Sequence, residues 1–317
     1  MGSSALGSGK NTYVIMKDEF VKIVTEEISA QLKSGAGILL IIVSISYISA
    51  IFTQIIKENS SGTGEIVSFG VICLLCVPMI ENIKNVVVNA ADTIEEIRAV
   101  MLSSIPVLCA NNATGDIAGA AVFITLTQVA AVLLSEIFLP LSIVYTMFGI
   151  CGVVSDKFSL EGVKGMVKYV FNWGLGILMI SFSCVASISG ALSGAKASMA
   201  ARTLKYTGAM VPVVGRYLAE STDMVFAGAS VIKGTAGVAA VWAILTVAAA
   251  PCIKMAINVI IYRIAGILVK PVADNRITSA ITNVGDAFMM ITGITALMSV
   301  MSVLNVAVLV TLARGGV

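Results

Sequence analysis

The sequence predicts an all-α fold, a polytopic transmembrane helix bundle of about seven to eight spans with broken or re-entrant segments and an N-terminal amphipathic helix. Three observations predict it. Hydrophobic residues make up 58% of the 317 and charged residues only 12%, where soluble domains average about 25% charged. Mean hydropathy is +0.99, and apolar runs recur along the whole length, which leaves too few polar residues to cover a water-facing surface. Proline or isolated charge interrupts several of these runs, so breaks are expected inside the bundle.

Composition also excludes. The net charge of +2 is small and scattered, so no nucleic-acid surface is predicted and the lipid bilayer is the expected surrounding. Histidine is absent, which removes the commonest general base and the commonest metal ligand. No cofactor and no metal site is predicted. The six cysteines sit in or beside apolar runs as small hydrophobic filler. Cys73 and Cys76 form a C-x-x-C inside one such run, without the second pair that a zinc site needs.

Residues 1–10 are Gly/Ser-rich and read as a flexible start or an expression scar. No secretory signal is legible there, so either the first true span directs insertion or a signal has been removed. Residues 11–34 read as the amphipathic helix, with Met16, Phe20, Val24, Ile28 and Leu32 recurring every fourth position between charges. Its place is on the membrane surface or against the bundle. Residues 35–317 form a single transmembrane domain. Gly35 to Ile56 is a first span of 22 residues, just above the roughly 20 needed to cross. Ile66 to Ile80 is shorter, ends near Pro78, and fits a tilted or partial span.

Asn85, Asn89, Asp92 and Glu96 then share one helical face opposite Val86, Ala90, Ile94, Ile97 and Met101. This is a solvated face or a polar stripe lining a cavity between helices. Ser103 to Thr114 carries Pro106 and Asn111-Asn112, which suits a break or re-entrant bend. Ile117 to Leu134 and Ile137 to Val154 read as an apolar hairpin turning at Ser135-Glu136, followed by a charged loop from Asp156 to Lys168. Tyr169 to Ser189 is the next span, with Trp173 as an interfacial anchor. Thr235 to Val269 reads as two spans parting near Pro251 and Cys252, and the last span lies within Ala287 to Leu312. Lys and Arg divide almost evenly between the two sides of such a bundle, so orientation is not legible from charge.

The stretch from Gly190 to Gly237 is the most unusual. Ser183, Ser187, Gly190, Gly194 and Ser198 leave one helical face bare of bulk, which permits close helix contact in lipid. Pro212 and Gly215 break the helix. A second helix then carries Arg216, Glu220, Asp223, Ser230, Gly234 and Gly237 on one face, charged for two turns and then small. This face packs against another helix or lines a path, and Asp223 and Lys233 are the ionisable groups of interest.

A family resemblance rests on the same residues. The runs Ala201-Arg202-Thr203-Leu204-Lys205, Val211-Pro212-Val213-Val214-Gly215-Arg216, Thr222-Asp223 and Ala229-Ser230-Val231-Ile232-Lys233, with Gly237, resemble the signature of the stage III sporulation protein AE family. Pro251, Ile253-Lys254, Ile261-Tyr262-Arg263 and Pro271 are similar to its following segment, and Asp92-Thr93-Ile94, Ile105-Pro106 and Leu139-Pro140-Leu141 to its first half. The resemblance implies a multi-pass protein of endospore-forming bacteria, in the mother-cell membrane surrounding the forespore. It implies a complex with the other stage III A sporulation proteins that meets stage II sporulation protein Q from the forespore side and forms a channel or feeding apparatus. The family supplies no catalytic residues to carry over. One departure stands out: the family usually begins with a signal sequence and a longer extracytoplasmic region, here short or absent.

The expected function is therefore a non-enzymatic membrane component of a sporulation channel or secretion-like complex. Broken helices at Pro212 and Pro251 support a secondary transporter as the alternative, although no inverted repeat is evident. A purely structural scaffold is a third reading. No nucleophile, base and orienting group converge in any motif, which disfavours an enzyme.

Overall fold

A computed structural model describes residues 3–57, 63–110, 117–154, 160–192 and 235–314, and all of these are helical apart from short turns. The helices are α1 (Ser3–Lys57), α2 (Thr63–Ala110), α3 (Ile117–Leu133), a π-helical turn (Leu134–Phe138), α4 (Leu139–Val154), α5 (Glu161–Leu192), α6 (Thr235–Val269) and α7 (Asn275–Arg314). Among the described residues six helical segments are long and apolar enough to cross a membrane. The chain is a helical membrane protein, with six such segments where the sequence reading expected seven or eight.

Two mergers account for the difference. The expected hairpin at Ser135-Glu136 does not form; α3, the π turn and α4 run end to end as one candidate span, Ile124–Val153. Neither Gly nor Asn stands at Ser135-Glu136 to reverse the chain, and backbone hydrogen bonds left open by a turn have no water to satisfy them in lipid. The π turn accommodates Pro140 instead. A proline ring clashes with the carbonyl four residues earlier, and the wider turn just upstream, closed by the Leu139 N–H donating to the Leu134 carbonyl, relieves that crowding. It also aims Phe138 into α5, edge-on to Phe171 with ring centroids 5.6 Å apart. Gly174 makes room there: a Cβ at that position would lie 2.7 Å from the Phe138 ring.

Likewise, α6 passes through Pro251 as one 35-residue helix rather than parting into two spans. In a bundle, neighbouring groups satisfy the backbone carbonyl that a proline frees, so the helix continues where an isolated one would break. The same holds for α2, which runs unbroken through Pro78 and Pro106 for 48 residues. The expected short span, polar helix and first part of the re-entrant bend are therefore one rod; residues 111–116 lie outside the described residues. The charged loop before α5 is also shorter than expected, since Glu161 to Lys168 already forms its first two turns.

At the other end of the chain, α1 continues from the amphipathic segment into the first span without a break and lies along α6. Phe20 meets Trp242 edge-on at 5.7 Å, and far along the pair the Tyr47 hydroxyl donates to the Leu268 carbonyl at 3.2 Å. The expected apolar stripe does not stay on the bundle side, because four-residue steps advance about 40° beyond a full helical turn. Phe20 and Val24 are half-buried while Ile28 and Leu32 are exposed, and Gly35 and Ile42 take over the buried face.

The core is built around α7. In its most apolar stretch 94% of residues are buried, against 22–44% in the other five candidate spans. It touches α2, α3, α4, α5 and α6. Its hydroxyls cost little in this setting, because Thr292, Thr295 and Ser299 donate to carbonyls one turn back, those of Phe288, Ile291 and Thr295 respectively. Small residues admit the tight α6–α7 contact: a Cβ on Gly285 would touch that of Tyr262 at 3.4 Å.

The merged α3–α4 rod has a direct test. In a background with the six native cysteines replaced by serine, Asp116→Cys and Ser155→Cys are expected to react with a membrane-impermeant maleimide from opposite sides of the bilayer. Labelling of both from one side would restore the hairpin.

Candidate functional site

A cluster of charges lies at one end of the bundle. The C-terminal ends of α4 and α6 meet the N-terminal ends of α5 and α7 there, and Asp286 is the junction. The Tyr145 hydroxyl of α4 donates to its Oδ2 at 3.2 Å and the Lys168 ammonium of α5 at 3.0 Å, while the Arg263 guanidinium of α6 donates to Oδ1. One carboxylate thus ties four helices together. Its side chain is 16% exposed whereas those of Lys168 and Arg263 are 47% and 43% exposed, so the acid is sheltered and its cations reach solvent or headgroups.

One turn earlier on α7, the buried Asn283 amide donates to the Gly149 carbonyl of α4 at 3.0 Å, and its Oδ1 accepts from the Lys164 ammonium of α5 at 3.1 Å. Lys164 also pairs with Glu161 at 3.1 Å. Beside these groups opens a cavity of about 690 Å³ lined by Glu161, Lys164, Lys270, Arg276, Asn283 and Asp286, with apolar, small and hydroxyl-bearing residues between them. Two further polar layers lie along the bundle. Asn82 of α2 donates to Asn258 and to the Tyr262 hydroxyl of α6, each at 3.4 Å. Further along, the buried Asn305 of α7 donates to Thr127 of α3, and Arg98 of α2 bridges Gln128 and Glu95. Among the described residues no three metal-ligating side chains come together.

The residues singled out from the sequence lie elsewhere. Asn85, Asp92 and Glu96 are exposed and Asn89 is half-buried, so the α2 stripe faces away from the bundle while Val86, Ala90, Ile94, Ile97 and Met101 opposite it face the core; Val86, Ala90, Ile94, Ile97 and Met101 are buried. Gly190 falls near the end of α5 and Gly237 in the first turn of α6. Gly194, Pro212, Gly215, Arg216, Glu220, Asp223, Ser230, Lys233 and Gly234 lie outside the described residues.

Sequence reading missed the Asp286 junction. The signal was present: Asp286 is the sole acid in α7, and α6 carries Lys254 and Arg263 with no acid of its own. Opposite charges on two apolar helices joined by a short turn are expected to find each other in lipid. Starting the last span at Ala287 cut the acid off by one residue.

The profile of the family described as Stage III sporulation protein AE matches residues 5–313. The chain belongs to the stage III sporulation protein AE family. A curated relative, Stage III sporulation protein AE of Bacillus subtilis (strain 168), is 23% identical over 252 residues, which cover 77% of this chain and 63% of the relative. The chain thus spans less than two thirds of that relative's length. No solved structure matches. Membership in the family supports a role in sporulation.

Proposed function

We propose that this chain is a non-enzymatic membrane component of a channel or secretion-like complex linking mother cell and forespore during endospore formation. In this reading it resides in the mother-cell membrane surrounding the forespore, and it works by assembly with the other stage III A sporulation proteins and, through them, with stage II sporulation protein Q. The observation that carries the reading is the family match along nearly the whole chain.

The outward stripe on α2 supports it. Asn85, Asp92 and Glu96 are exposed on a 48-residue helix about 72 Å long, more than twice the roughly 30 Å hydrocarbon thickness. The stripe is turned away from the bundle, where a partner protein can read it. The stretch Arg216 to Gly237 is the second proposed contact or path-lining region.

Photo-crosslinkers at positions 85, 92, 96 and 223, introduced in sporulating cells, test the proposal. Adducts with stage III A proteins are the expected result. Solute uptake by the isolated chain in liposomes, without such adducts, would instead favour a secondary transporter, and neither adducts nor uptake would leave the scaffold reading.

A further inference from the structure

We infer that the cavity beside Asp286 is a binding site for a phosphate-bearing anion. Charge balance is the first argument. Lys164, Lys270 and Arg276 line the cavity against Glu161 and Asp286. The Asp286 carboxylate is already answered by Lys168 and Arg263, neither of which lines the cavity. Counting those two, and Asp274 beside the α7 N-terminus, gives five cations to three acids around the opening, and Glu161 is itself engaged by Lys164. A concave site with such a surplus between low-dielectric helix walls concentrates anions.

Donor chemistry is the second argument. Lysine and arginine supply charge-assisted donors, and Asn275 in the first turn of α7 and Ser279 just after it add amide and hydroxyl groups. A phosphate offers three or more acceptor oxygens to such a set. The α7 N-terminus faces the same space, and its dipole has the sign that favours an anion. The volume, about 690 Å³, exceeds what a bare ion fills and suits a phosphate that carries an organic group.

Depth is the third. The four candidate spans that frame the cavity end or begin at Val153, Glu161, Val269 and Asn275, so it sits at one end of the bundle rather than midway along it. Exposed aromatic residues mark the same level: Tyr169 and Trp173 pack together at 5.8 Å just past Lys168, and Tyr47 reaches the Leu268 carbonyl. Such rings collect at the headgroup layer, and basic pockets between spans at that layer hold anionic headgroups. The ligand is therefore either the headgroup of an anionic phospholipid or a soluble phosphate compound of similar size.

Binding to the full chain purified in a nonionic detergent separates the sources. Dioleoyl-phosphatidylglycerol, dioleoyl-phosphatidylcholine and inorganic phosphate serve as probes, with lipid occupancy read by native mass spectrometry and phosphate by equilibrium dialysis. Phosphatidylglycerol is expected to bind at least about tenfold more tightly than phosphatidylcholine, and Lys270→Gln with Arg276→Gln is expected to weaken it about tenfold or more while leaving phosphatidylcholine unchanged. Competition by inorganic phosphate would assign a soluble phosphate ligand, and its absence with the variant effect intact would assign a lipid headgroup. Lys22→Gln with Lys33→Gln, far from the cavity, controls for the loss of two charges and is expected to change nothing. Lys270 is exposed, so Lys270→Gln alone carries the test if the double variant misfolds. Equal binding of the two lipids together with no Lys270-dependent phosphate binding would overturn the inference.

Discussion

Gly149→Leu is expected to destabilise the bundle by about 3 kcal/mol, through overpacking and the loss of a buried amide hydrogen bond. A Cβ alone at this position would lie 2.9 Å from the Asn283 Cβ and 3.0 Å from its Nδ2. Helix α7 cannot recede to make room, because α2 and α6 also pack on it. Parting α4 from α7 breaks the Asn283 bond to the Gly149 carbonyl and the Lys164 contact that depends on the same amide. The matched control is Gly37→Leu, where an added Cβ meets nothing within 4 Å. Thermal unfolding of both variants in detergent micelles checks the claim, and equal midpoints would refute it.

Asp286→Ala is expected to cost about 2–3 kcal/mol, less than the 3–5 kcal/mol typical of breaking a fully buried pair, because Lys168 and Arg263 are nearly half exposed and can rehydrate. The remaining cost comes from four helix ends losing a common acceptor. Asp286→Asn keeps an oxygen for Tyr145 and Arg263 but not the charge, so about half the loss is expected. In the Asp286→Ala background, Lys168→Gln should add almost nothing, since its partner is already gone. Full additivity of the two substitutions would show that the ion pair carries no stability.

Much of the fold was legible because lipid allows few options. Long apolar runs had to be helices, and all eight expected spans fall on helical residues. The errors came from treating proline and small polar pairs as breaks. Pro251 would break a helix in water, where the freed backbone group finds solvent, whereas Ser135-Glu136 carries no helix breaker at all. In a bundle, holding the rod together costs less than exposing those groups to lipid.

The junction was less legible for a different reason. Asp286, Arg263, Lys168 and Tyr145 are scattered over 142 positions of sequence, from 145 to 286, and only tertiary packing unites them. The α2 stripe, by contrast, was found from spacing alone, but spacing does not say which side faces the core. Val86, Ala90 and Ile94 won that side because apolar residues pack there without unpaired donors.

The central position of α7 bears on the order of synthesis. It follows the other five candidate spans along the chain, so during translation those spans enter the bilayer before the helix that most of them pack against has been made. Until α7 arrives, the α4 carbonyl at Gly149 and the cations Lys168 and Arg263 wait without their eventual partners. The core of the bundle is therefore expected to close late, when α7 docks. A chain stopped before residue 275 would keep the α1–α6 contacts but lack the helix that fills the core, which would make it a natural substrate for membrane proteases.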